Sequence, residues 1–149
     1  MASLFPSSPV LPEASEFAVR TIGFGRSWKF DYAAGEFVTT PTGKVAESRG
    51  VEAWLEWCNK ALSTARYRYL AYTRNYGQEF DDLIAKGLNR SGNESEIKRI
   101  ATECLTVDPR TASVSNFQFN WQGETCMFTC EVRNIHGTTG TLTGSVVAK

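Results

Sequence analysis

The run Glu96-Ile-Lys-Arg-Ile-Ala-Thr-Glu-Cys-Leu-Thr-Val-Asp-Pro-Arg110 decides how this chain is built. Ile97, Ile100, Ala101 and Cys104 fall at i, i+3, i+4 and i+7, the stripe of an amphipathic helix. Asn93 with Glu96 three residues on reads as the capping box that opens it. Pro109 has no N–H to extend the helical ladder, and its ring drives Asp108 out of the helical region. The helix is therefore expected to stop at an abrupt Asp108-Pro109-Arg110 corner, with the arginine's planar fork of donors leaving it. Beyond the corner the period changes. Val114-Ser-Asn-Phe-Gln-Phe-Asn-Trp121 puts Phe117, Phe119 and Trp121 on one side, and Gln122-Gly123 marks a hairpin turn. The return strand sets Cys126, Phe128, Cys130 and Val132 against Met127, Thr129 and Glu131. A helix docked on a half-buried antiparallel sheet follows.

Upstream, Val51, Trp54, Leu55, Cys58 and Leu62 share one stripe and predict a helix over residues 51 to 65, with Ser48 as its N-cap. Before it, Trp28-Lys-Phe-Asp-Tyr32 alternates aromatics with charges, Ala33-Ala-Gly-Glu36 turns, and Phe37-Val-Thr-Thr40 returns, which predicts a hairpin ending at Pro41. Between the helices, Asn75-Tyr76-Gly77 turns into a short helix over 80 to 86 that Gly87 stops. The tyrosines ahead of it are expected to pack at the edge of the core. The fold class is α+β: an N-terminal β-hairpin, two to three helices on a small antiparallel sheet, and a β-prone C-terminal segment. Residues 1–16, with three prolines among serines, read as an arm that is flexible or ordered by a partner, 17–136 as a single domain, and 137–149 as a C-terminal strand or extension. The glycines and threonines of that last segment show little alternation to fix a register, so it is expected at a sheet edge or paired with another chain.

At 149 residues the chain is long enough for one real core, since folding at this size hides roughly 68 to 70 % of the unfolded surface. Sixteen Lys plus Arg balance sixteen Asp plus Glu, so no overall field gathers nucleic acid or an anionic membrane. The start of the chain lacks a basic, then apolar, leader pattern, and the expectation is a soluble protein. Cys126 and Cys130 on one strand stand about 13 Å apart at ~3.3 Å per residue, too far for a disulfide, which needs Cα atoms within about 7 Å. With Cys58 and Cys104 on helix stripes, all four are expected to be buried thiols. No phosphate-loop, dinucleotide or zinc pattern is present, so no cofactor and no metal are expected. Arg66, Arg68 and Arg74 interleaved with tyrosines suggest a surface for single-stranded nucleic acid, which the zero net charge disfavours. Glu79, Asp81 and Asp82 suggest a carboxylate pair for glycoside cleavage. Carboxylates opening a short helix also answer its dipole, and no catalytic residue is assigned.

The order of these segments carries a resemblance. A helix, then Arg66-Tyr-Arg-Tyr-Leu-Ala-Tyr-Thr-Arg-Asn-Tyr-Gly-Gln-Glu-Phe-Asp-Asp-Leu-Ile-Ala-Lys-Gly87, then a helix ending in Val107-Asp-Pro-Arg110, then Val114-Ser-Asn-Phe-Gln-Phe119 resembles the sheath-initiator and baseplate-wedge proteins of contractile phage tails and phage-tail-like bacteriocins. The resemblance covers residues 28 to 136 and implies a structural assembly protein rather than an enzyme. Such a protein links the wedge to the tail sheath and templates the first sheath ring by strand pairing between chains. Implied partners are the tail sheath protein, baseplate wedge proteins and the tail tube, with several copies around the tail axis and neither nucleic acid nor membrane. The implied location is the baseplate of the virion or bacteriocin particle, assembled in the bacterial cytoplasm. The alternatives are a cell-wall hydrolase of the tail and a small nucleic-acid binding module. The family's Glu-Pro-Arg corner falls on Asp108, Pro109 and Arg110; aspartate, one methylene shorter, is expected to rearrange the acid's salt bridge. Partner binding is assigned to those three residues, to Asn75, Tyr76 and Gly77, and to Leu142, Val146 and Val147. Arg110→Ala is expected to fold nearly normally and to assemble poorly.

Overall fold

A computed structural model describes residues 22–147; the expected N-terminal arm lies outside them. Ten elements follow in order: β1 (Arg26–Trp28), β2 (Phe30–Asp31), β3 (Glu36–Phe37), β4 (Glu47–Arg49), α1 (Val51–Ser63), α2 (Asp82–Lys86), α3 (Arg90–Thr106), β5 (Thr111–Gln122), β6 (Thr125–Asn134) and β7 (Thr139–Val147). This is the expected α+β class. The main sheet is antiparallel in the order β5-β6-β7, with the helices over one face and two small two-stranded ribbons, β1-β4 and β2-β3, at the N-terminal end.

The core forms where the two periodicities meet. Ile97, Ile100, Ala101 and Cys104 of α3 are all buried, as are Trp54, Cys58, Ala61 and Leu62 of α1. They close on the β6 face made by Cys126, Phe128, Cys130 and Val132, while Phe117, Phe119 and Trp121 of β5 pack partly buried beside it. Trp54 satisfies its indole N–H by donating to Thr111 Oγ1 at 3.0 Å. All four cysteines are free and buried. Burial pushes the Cys58 and Cys104 thiols up to about 12.

Both expected caps are displaced. α1 follows Gly50, whose φ of +59° turns the chain straight from β4 into the helix, and Ser48 is a buried β4 residue facing Ser27 rather than a cap. α3 begins a turn early: the side chain of Asn89 accepts from Gly92 N–H at 2.7 Å, and Asn93 is buried inside the helix, donating to the Leu88 carbonyl at 3.0 Å. The extra turn is solvated and carried no apolar signal. The expected first hairpin strand also divides. At Lys29 the chain donates to the Ala46 carbonyl and accepts from Val38 N–H, so residues before it pair with β4 and residues after it with β3.

β7 lies at the expected sheet edge, but its register is far better defined than its sequence suggests. It runs along β6 in nine unbroken pairs, from Arg133 opposite Thr139 to Thr125 opposite Val147. Its core-facing residues are Gly140, Leu142, Gly144 and Val146, which is a clean alternation written partly in glycine. A Cβ at Gly144 would collide with the Phe128 ring and one at Gly140 with the Leu55 side chain. The glycines are the space those side chains fill, so the register is fixed by packing and the segment is the third strand of the core sheet.

Candidate functional site

The proline corner is closed on itself. Asp108 is 5 % exposed in its side chain and Arg110 16 %. Asp108 Oδ1 accepts from the Arg110 backbone N–H at 2.9 Å, and the Arg110 guanidinium grips both carboxylate oxygens through Nε and Nη2. The remaining nitrogen, Nη1, donates to the Phe24 carbonyl at 2.8 Å. Behind it, Phe24 stacks near Trp54 and meets His136 edge-on. Aspartate thus makes the charged pair locally, across a single proline, and only Pro109 of the three corner residues is exposed.

A ring pathway leads away from that corner. The Arg110 guanidinium lies 5.9 Å from the Trp57 ring centre. Trp57 meets Tyr76 edge-on at 5.7 Å, Tyr76 stacks on Tyr72 at 4.5 Å, and Tyr72 meets Tyr69 edge-on at 6.3 Å. Tyr76 is therefore a half-buried strut whose hydroxyl ionises only above its ordinary range, chiefly through burial. Gly77 is buried at φ +99°, and a Cβ there would lie 2.6 Å from the Thr64 carbonyl oxygen, so its role is to let two stretches of backbone touch. Asn75 alone of that turn is exposed. Tyr67 and Tyr69 are exposed instead of packed on the core edge, because loop 66–77 bulges outward from a closed base.

Leu142 and Val146 point into the core, which removes their side chains from any partner, while Val147 is exposed. What β7 offers outward is backbone. The Asn134 N–H donates to the Thr138 carbonyl, and Asn134 and Thr138 stand in the same register as the β6-β7 pairs. Alternation along an antiparallel ladder then turns the N–H and C=O groups of Gly140, Leu142, Gly144 and Val146 toward β6. Those of Thr141, Thr143 and Ser145 face the outer edge, where no strand among the described residues pairs with them.

Sequence reading did not mark a cleft of about 380 Å³ between the N-terminal ribbons and α1, walled by Trp28, Phe30, Tyr32, Phe37 and Trp57. The alternating aromatics of Trp28-Lys-Phe-Asp-Tyr32 were its signal. Tyr32 donates to the Glu56 carbonyl at 3.2 Å, and burial, with the Glu56 carboxylate nearby, raises its hydroxyl to about 12.

The two alternative chemistries lose residues. Arg66, 11 % exposed, is paired with Glu79 at 3.4 Å and donates to the Gly77 carbonyl, so the three arginines do not form one exposed face. The same pair ties up the carboxylate that a hydrolase would need. Among the described residues no group of three or more His, Cys, Asp or Glu is placed to hold a metal ion, and no helix is long and apolar enough to cross a membrane.

The family comparison agrees with an assembly role. The model of the contractile injection system sheath initiator family matches residues 26–137. The chain is 31 % identical over 90 residues to the phage-like element PBSX protein XkdS of Bacillus subtilis (strain 168), an alignment covering 60 % of this chain and 64 % of that protein. The chain thus spans less than two thirds of that relative's length. In shape it is similar to a chain of the cryo-EM structure of the anti-feeding prophage baseplate, six-fold symmetrised. That likeness covers 84 % of this chain and 86 % of the other, at 17 % identity and a TM-score of 0.49.

Proposed function

We propose that this chain, which belongs to the contractile injection system sheath initiator family, is a structural protein of a tail baseplate that links the wedge to the sheath and templates the first sheath ring. The outer edge of β7 carries this reading. Soluble proteins usually blunt a free edge with lysine, proline or a bulge. Residues 139–147, Thr-Gly-Thr-Leu-Thr-Gly-Ser-Val-Val, contain no charge and no proline, and their pairing with β6 has no register shift. The opposite edge of the sheet is unsuited to the task. β5 has register shifts between Thr111 and Ser113 and between Ser115 and Gln118, and Asn116 sits at φ +53°.

Strand addition draws its affinity from main-chain hydrogen bonds and asks little of side-chain identity, which suits a template for a repeating subunit. A head-to-tail contact of this kind is not self-complementary, so it can be repeated from one subunit to the next. The sheath protein pairs with β7, and wedge proteins meet the exposed remainder of the corner and turn, Pro109 and Asn75. The tail tube is a further neighbour, and several copies surround the tail axis in a particle assembled in the bacterial cytoplasm. Nothing in this role calls for catalysis.

Thr143→Pro tests the reading, because it deletes an outward N–H and leaves the β6 ladder intact. The variant is expected to enter baseplates and fail to nucleate purified sheath protein, whereas Thr143→Val nucleates normally. Full-length sheaths growing from Thr143→Pro baseplates would overturn the assignment.

A further inference from the structure

We infer that loop 66–77 is a preformed knob that docks this chain into an apolar pocket with an acidic rim on a neighbouring baseplate protein. The inference rests on the baseplate reading and extends its Asn75 contact to the whole loop, a surface separate from the β7 edge. The loop's ends are clamped: Gln78 N–H donates to the Thr64 carbonyl at 2.9 Å, Arg66 N–H to the Gln78 carbonyl at 2.7 Å, and Arg66 Nε to the Gly77 carbonyl at 3.2 Å. From that base the Tyr69–Tyr72–Tyr76–Trp57 ring pathway stiffens one flank. Lys60 Nζ sits 5.3 Å over Tyr72 and adds a cation–ring contact.

The stiffened base carries an apolar tip into solvent. Leu70 has a relative exposure of 105 %, and Tyr67 and Tyr69 beside it are each more than half exposed. One exposed leucine is ordinary; a leucine that directly follows an exposed Tyr-Arg-Tyr run on a clamped loop gathers three exposed large apolar side chains within four residues. Tyr67 adopts φ +66°, a left-handed conformation that a bulky residue seldom takes unless its surroundings impose it. That turn is what throws the tip outward.

Charge selects the partner. The loop contains Arg66, Arg68 and Arg74 and no acidic residue. Arg66 is matched by Glu79. Arg68 and Arg74 are exposed, and neither pairs with a carboxylate among the described residues. Tyrosine, arginine and a projecting leucine are the composition of an interface anchor, in which the apolar tip is desolvated and the cations meet carboxylates at the rim. Nucleic acid would use the arginines and rings but would leave Leu70, the most exposed large apolar side chain among the described residues, without a partner.

The test uses the full chain expressed in cells that assemble the particle and lack their own copy. Leu70→Asp and the double variant Arg68→Glu/Arg74→Glu should melt like wild type and be depleted at least tenfold from purified baseplates, while Leu70→Met is retained. Thr143→Pro, by contrast, should be retained at wild-type level without sheath, so the two surfaces separate. Wild-type occupancy by either loop variant would overturn the knob and leave the β7 assignment standing. Wild-type chain missing from purified baseplates would instead sink the baseplate reading and the knob with it. Binding of the purified chain to a fluorescent dT20 oligonucleotide or to phosphatidylglycerol vesicles, lost in the double arginine variant, would reassign the loop and overturn the proposal.

Discussion

Arg110 and Asp108 form a closed fork across Pro109, both carboxylate oxygens gripped by the guanidinium two residues on, and the same guanidinium holds the Phe24 carbonyl. The corner is therefore a clasp between the end of α3 and the start of the described chain. Its first consequence is for folding. Arg110→Ala strands a carboxylate that is 5 % exposed, and removing one member of a buried pair costs roughly 3 kcal/mol or more. Urea denaturation should show that loss, reversing the expectation that the variant folds nearly normally. Asp108→Ala/Arg110→Ala should cost less than the two single changes combined.

The core-facing glycines of β7 should be intolerant in a graded way. At Gly144 an added methyl meets the rigid Phe128 ring, itself held against Phe80 and Phe117. At Gly140 it meets the end of Leu55, a flexible side chain at the core's edge. Gly144→Ala is expected to lose about 1–3 kcal/mol, and Gly140→Ala less. Equal melting temperatures for the two would show that Phe128 moves as freely as Leu55.

Stability should fall on the alkaline side. Burial raises Cys58 and Cys104 from 9.0 to about 12 and Cys130 to about 11. A group whose folded pKa lies above its unfolded value favours the fold while protonated in both states. That contribution is complete below about pH 9 and is lost as pH climbs toward about 12. Chemical denaturation between pH 8 and pH 11 should show a declining midpoint, and replacing Cys58 and Cys104 together by Ala should flatten the decline.

What the sequence made legible followed periodicity. The α3 stripe, the β6 alternation and the proline stop are each visible within a window of a dozen residues and are present in the structure. Two features stayed hidden for different reasons. The clasp joins Arg110 to Phe24 over 86 positions, and no local pattern encodes that distance. β7 conceals its alternation because two of its four core positions are glycine, which reads as absence of pattern although it records the space taken by Phe128 and Leu55. Ser48 and Asn93 have cap chemistry but are buried elsewhere, since Gly50 and Asn89 already start the helices.

That concealed alternation changes the experiment that isolates the proposed sheath contact. Read as an extension, the C-terminal segment could be deleted without harm. In the structure, removing residues 139–147 takes Leu142 and Val146 from the core and bares the inner edge of β6, including the Phe128 ring that lies over Gly144. Fully burying a leucine or valine is worth roughly 1.5 to 3 kcal/mol, and the two together approach much of the roughly 5 to 15 kcal/mol that holds a domain folded. The truncated chain should show a broadened or missing thermal transition and bind a dye for exposed apolar surface, and its failure in assembly would then report unfolding. Thr143→Pro keeps both anchors and changes only an outward N–H. A cooperative melt for the proline variant beside collapse of the truncation would establish that the strand's two edges do separate jobs, core inward and pairing outward. A truncation that melts like wild type would show that β7 contributes little to the core and restore the reading of an appended strand.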